Sequence, residues 1–122
     1  MKFVITGKFP SLNEYTEGNR NNRYHGAKIK KDCQQNVIQA IRQAKLPKVS
    51  NYPIHMKITW YEANRRRDID NITYAVKFIN DGLVQMGVIA DDSQRFIRSI
   101  ENVVEVDKEN PRIEVEIKEG KT

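Results

Sequence analysis

The stretch Ile54-His55-Met56-Lys57-Ile58-Thr59-Trp60-Tyr61, followed across a polar break by Ile72, Ala75, Val76, Ile79, Leu83 and Met86, decides the fold. In the first run apolar and polar side chains alternate, the period of a strand with one face buried. In the second, apolar residues recur at three- and four-residue spacing and trace one stripe along a helix from residue 71 to 86. Asp70 reads as its N-cap and Gly87 as its C-terminal stop.

Working outward, Lys2 to Thr6 is short and β-branched and ends in the Gly7-to-Pro10 breaker region, which predicts a strand. Residues 13–24 carry no apolar period and read as a polar loop. From Lys28 to Lys45 the positions Cys33, Val37, Ala40, Ile41 and Ala44 recur at helical spacing, and Leu46-Pro47 supplies a stop. Beyond Asp91-Asp92-Ser93, Arg95 to Val106 reads as a strand whose register slips near Asn102-Val103. Glu109-Asn110-Pro111 makes a turn, and Arg112 to Lys118 places Ile113, Val115 and Ile117 on one face. The order is β-α-β-α-β-β: an α+β fold, with a mixed sheet and two helices packed on it. The length of 122 residues fits a single domain over 1–122.

Lys and Arg number 21 against 16 Asp and Glu, so the charge of +5 favours contact with a polyanion. No apolar run approaches a membrane span and no signal-peptide pattern opens the chain, so a cytoplasmic protein without a membrane partner is expected. The lone Cys33 has no intramolecular disulfide partner and reads as a buried thiol. His25 and His55 have no carboxylate or cysteine at ligand spacing, and Trp60 reads as core.

The chemistry concentrates at Arg65-Arg66-Arg67-Asp68-Ile69-Asp70-Asn71. On extended backbone, residues two apart point the same way, so Asp68 and Asp70 can grip one hard cation. Carboxylates without a His or Cys cluster select magnesium or manganese over zinc, and magnesium suits phosphodiester hydrolysis. An EF-hand fails, because Thr73 and Ile79 stand where its Gly and Glu belong. Plainer readings stay open. Asp70 can simply cap the helix, the charged loop can neutralise itself, Lys77 can pair with Asp81, and Asp91-Asp92 can be a turn.

The series Arg65-Arg66-Arg67-Asp68-x-Asp70-Asn71, a helix bearing Lys77, and Asp91-Asp92, with Pro10-Ser11-Leu12-Asn13 after the first strand, resembles the RusA family of Holliday junction resolvases. The likeness spans nearly the whole chain. It implies a homodimeric, magnesium-dependent endonuclease that resolves four-way DNA junctions by paired nicks, of a kind often encoded by prophages. By matching motif positions, the resemblance makes Asp68, Asp70 and Asp92 the metal ligands and catalytic carboxylates, and Lys77 the catalytic lysine. The resemblance also makes Asn71 and Asp91 candidates for additional site residues. The Asp70-to-Lys77 spacing departs from the family's form, being three residues longer.

For such a substrate, Arg65, Arg66 and Arg67 would hold the DNA backbone near the carboxylates. Arg20, Arg23, Lys28, Lys30 and Lys31 would follow the junction arms, with Tyr15 and Tyr24 stacking on unpaired bases. The alternatives are a catalytically silent module that binds branched DNA and a related metal-dependent nuclease with another substrate. One geometric difficulty remains: a straight helix from 71 to 86 is about 24 Å long and puts Asp70 and Asp92 near opposite ends. Either the chain after Gly87 folds back along the helix, or two helices pack antiparallel across a two-fold axis and Asp92 meets the acid pair of the other subunit.

Overall fold

A computed structural model of the chain describes residues 1–120; Lys121 and Thr122 of the expected domain lie outside the described residues. The elements are β1 (Lys2–Thr6), α1 (Leu12–Asn21), α2 (Arg23–Ala44), β2 (Ile54–Glu62), α3 (Ile69–Thr73), α4 (Val76–Gln85), β3 (Ile97–Val106) and β4 (Arg112–Lys118). The four strands form one sheet in the order β1-β4-β2-β3. The β2–β3 pair is parallel and the other two pairs are antiparallel, so the sheet is mixed, as expected. Parallel pairing needs a crossover, and α3 with α4 supplies it.

Period-2 alternation sends Phe3, Ile5, Ile54, Met56, Ile58, Trp60, Ile113, Val115 and Ile117 to one face, where they are buried against Val37, Ile41, Phe78, Ile79 and Leu83 of the helices. The opposite face is open, and Arg112 lies 3.8 Å over the Tyr61 ring on it. Arg112 also pairs with Asp107 at 2.8 Å and Glu114 at 2.7 Å, which fastens the β3–β4 turn. These bonds hold the Asp107 carboxyl below its usual range and the guanidinium above its own.

Four expectations need correction. Residues 13–24 are not a loop. They hold α1 and the start of α2, divided at Asn22, whose Oδ1 accepts the Tyr24 N–H at 2.8 Å. With ten residues and few apolar ones, α1 depends on its cap: Ser11 Oγ accepts the Glu14 N–H at 3.1 Å and donates to Glu14 Oε1 at 3.2 Å. Consequently the described chain has four helical segments, not two.

The expected helix over 71–86 is broken at Tyr74-Ala75 into α3 and α4. There the Ala75 and Lys77 N–H groups turn to carbonyls three residues back, at 3.4 and 3.3 Å. The cause is tertiary. The Tyr74 hydroxyl donates to the Pro10 carbonyl, and its ring stacks on Tyr15 at 6.0 Å and meets Phe78 edge-on at 5.8 Å. Gly87, at φ +72°, ends α4 as expected, with Val88 N–H bonded to Leu83 O and Gly87 N–H to Val84 O.

The N-cap is Asp68 rather than Asp70, which sits in the first turn of α3. Finally, the register irregularity lies between Ile54, opposite Ile97, and His55, opposite Ser99, not at Asn102-Val103. Asn102 stays opposite Ile58 and accepts the Trp60 Nε1–H at 2.9 Å, so a polar residue on the covered face is satisfied without a slip.

Candidate active site

The site is built on one edge of the sheet. Thr6 at the end of β1, Arg112 at the start of β4 and Tyr61 near the end of β2 stand in register there. Two connections therefore leave the sheet side by side: residues 7–11 toward α1 and residues 63–68 toward α3.

Arg67 joins them. Its guanidinium donates to the Phe9 carbonyl at 2.9 Å, pairs with Glu14 at 3.2 Å and approaches Glu62 at 3.7 Å. Asn71 adds a second tie, its Oδ1 accepting the Asn13 N–H at 3.2 Å. With the Tyr74-to-Pro10 bond, three side chains from residues 67–74 are thus fastened to residues 9–14. The Pro10-Ser11-Leu12-Asn13 element is the backing against which the acidic turn is held.

Asp68 precedes α3 on extended backbone (φ −68°, ψ 157°) and makes no side-chain cap bond, although its position would permit one. Asp70 lies inside the first turn, so strand alternation does not relate the two carboxylates; both are nonetheless exposed within one short turn. No ion pair among the described residues involves Asp68, Asp70, Asp91, Asp92 or Lys77. Lys77 does not bridge to Asp81, whose Oδ2 instead accepts from Gln34 Nε2 at 3.3 Å. Lys77 is exposed in the first turn of α4, where a cation gains nothing from the helix dipole.

Of the arginine run, Arg65 and Arg66 are exposed and Arg67 is not: only 19% of its side chain is accessible, and it is engaged within the fold. Beside them, Asn64, Arg65, Arg67, Ile72 and the end of β3 line a cleft of about 220 Å³. Sequence reasoning missed Glu14 and Glu62. The first was signalled by Ser11-x-x-Glu14, a capping pattern; the second by a carboxylate at a core-facing position of the alternation Ile54, Met56, Ile58, Trp60, Glu62.

Asp92 lies elsewhere. After Gly87 the chain does not return along α4; Val88 O accepts the Val49 N–H at 2.8 Å and the Ala90 N–H goes to the Tyr52 hydroxyl at 2.9 Å. Asp91 and Asp92 then lead through a turn closed by Phe96 and Ile97 N–H on Ser93 O into the start of β3. Since β2 and β3 are parallel, that start lies beside Ile54, at the edge opposite to the one Asp68 and Asp70 occupy. Nine residues of β2 separate the edges by about 26 Å. Among the described residues no group of three or more His, Cys, Asp or Glu side chains is placed to hold a metal ion.

The basic residues of the α1–α2 region divide likewise. Arg20, Arg23 and Lys31 are exposed, Lys30 is half-buried, and Lys28 pairs with Asp32 at 3.0 Å. Tyr24 is 76% exposed. Tyr15 is instead half-buried in the Tyr74–Phe78 cluster, so it does not offer a face to a base.

The family model of endodeoxyribonuclease RusA matches residues 8–118, from the first connection through the last strand. The chain belongs to the RusA family. Its activity is accordingly that of a Holliday junction endodeoxyribonuclease, and its substrate is branched DNA. Among curated proteins no sequence match was found. No helix of the described residues is long and apolar enough to cross a membrane. For this RusA family member the donors suit a hard cation: Asp68, Asp70 and Asp92 are exposed carboxylates with no ion pair among the described residues.

Proposed function

We propose that this RusA protein is a magnesium-dependent resolvase that cuts four-way junctions by paired symmetric nicks, with each site assembled across a homodimer. Asp68 and Asp70 of one subunit would hold the metal with Asp92 of the partner subunit, and manganese would substitute. The observation that supports this most is the distance of about a strand's length between the acid pair and Asp92 within one chain. A two-fold assembly also matches a substrate with two equivalent strands to cut.

When bound, the metal activates water and offsets charge on the phosphate. The chain's own residues do the rest. Arg65 and Arg66, unpaired and next to the carboxylates, grip the scissile strand's phosphates, and Lys77 presents its ammonium toward the reacting phosphate. Asn71 and Arg67 hold the acidic turn against residues 9–14, and Asp91 supplies further negative charge beside Asp92. Asp68 and Asp70 have no ion pair among the described residues, which keeps their oxygens available to the cation.

Incubating the purified protein with a labelled four-way junction, with and without magnesium, tests this reading. Symmetric nicks that need magnesium, and that Asp70→Asn abolishes while junction binding survives, are expected. Binding without any cut in magnesium or manganese would reduce the protein to a silent binding module.

A further inference from the structure

Helix α2 is longer than the sheet it covers. Its 22 residues extend about 33 Å, against about 26 Å for β2. Its C-terminal end leads toward Val49, beside Val88 at the far edge, and its contact with the core begins at half-buried Ile29 and buried Cys33. Near Cys33 it passes Phe9 and Pro10, which line a cleft with Ile29, Asp32 and Asn36. The residues of α2 before Ile29 therefore project past the sheet on the edge that carries Asp68 and Asp70, and α1 packs against α2.

The two helices of this projecting hairpin pack closely against each other. Gly26 is buried, and a Cβ there would lie 1.6 Å from Asn19 Oδ1 and 3.1 Å from Asn19 Cα, so the two helices touch where α2 has no side chain. At the tip, Asn22 bonds Tyr24 N–H, and the Arg23 guanidinium lies 5.9 Å from the Tyr24 ring centroid. Tyr24, 76% exposed, is the most exposed of the large hydrophobic side chains described. This exposed ring meets the Arg23 guanidinium, and Arg20 is exposed in the last turn of the neighbouring α1. An exposed π-face on a helical hairpin that also carries exposed arginines has the composition of a single-strand stacking platform.

We infer that Tyr24 stacks on a base exposed at the branch point of the junction, with Arg20 and Arg23 on the flanking phosphates. The inference rests on the branched-DNA reading above and adds to it how the branch is distinguished from duplex: away from strand ends, only a branch leaves a base face free to receive the ring. Duplex arms offer Tyr24 no partner, so its contribution falls on junctions alone.

The test uses the full chain carrying Asp70→Asn, so that no cutting intervenes, and a four-way junction with 2-aminopurine at the branch point beside a linear duplex carrying the same base. Tyr24→Ala should weaken junction binding about tenfold and abolish the fluorescence change, leave duplex affinity unchanged, and leave the melting curve unchanged because the side chain is exposed. Tyr24→Trp and Tyr24→Phe should keep both signals. Equal losses on junction and duplex, or a Tyr24→Ala protein that matches its parent, would overturn the inference while leaving the nuclease reading in place. A parent protein with no preference for the junction would overturn both.

Discussion

Arg67 Nη2 lies 3.2 Å from Glu14 Oε1, so the residue before the acid pair is tied to the first turn of α1. The same guanidinium reaches Glu62, whose side chain is only 9% exposed. Arg67→Ala would leave that carboxylate without its cation and is expected to cost about 2 kcal/mol of stability. Glu14→Ala, at an exposed partner, should cost less than about 1 kcal/mol. Urea melts of the two variants check the ranking, and equal losses would contradict it.

Arg65 and Arg66 have no ion pair among the described residues and should behave in the opposite way. Replacing either with Ala is expected to leave the melt unchanged and to lower junction affinity, reducing the slope of log affinity against log salt by about 1 for each phosphate no longer neutralised. Affinity titrations over a range of salt concentrations measure this. An unchanged slope would remove them from the DNA interface.

Cys33 gives a pH dependence of stability. Burial, and then the charge of Asp32, push its thiol from 9.0 up to about 11. The folded state thus favours the neutral thiol, so this contribution is complete below pH 9 and is lost as pH rises toward 11. Burial also raises the Tyr74 phenol, in the same direction. Denaturant midpoints should fall over that interval, and less so in Cys33→Ala; a profile identical in the two proteins would contradict the assignment.

The strands were legible because their signal is local. Lys2–Thr6 and Arg112–Lys118 carry their alternation within themselves, and the Ile54–Tyr61 pattern needed only Glu62 added. Helix α1 was not legible by periodicity, since Leu12, Asn13, Glu14, Tyr15, Thr16, Glu17 and Gly18 give no sustained stripe; its stability comes from the Ser11 cap and from packing on Gly26 of α2. The break at Tyr74 was hidden for a related reason. Its apolar stripe continues unbroken through the sequence, and what bends it is the carbonyl of Pro10, 64 residues away.

The acidic site divided along the same line. Asp68, Asp70 and Asn71 are neighbours in sequence and share one turn, whereas Arg67 is held inward by Glu14 and Glu62, which no local pattern connects to it. The difficulty posed by the distance to Asp92 was legible from helix length. That the chain after Gly87 turns to Val49 rather than back along α4 was not.

Mixing subunits that carry Asp68→Asn with subunits that carry Asp92→Asn tests the shared site most directly. Each variant alone should be inactive. In a composite site every mixed dimer regains one intact site of two, so an equal mixture with free exchange recovers about a quarter of the wild-type sites, as nicks in one strand only. A mixture as inactive as its components would contradict the account and return all three carboxylates to one chain.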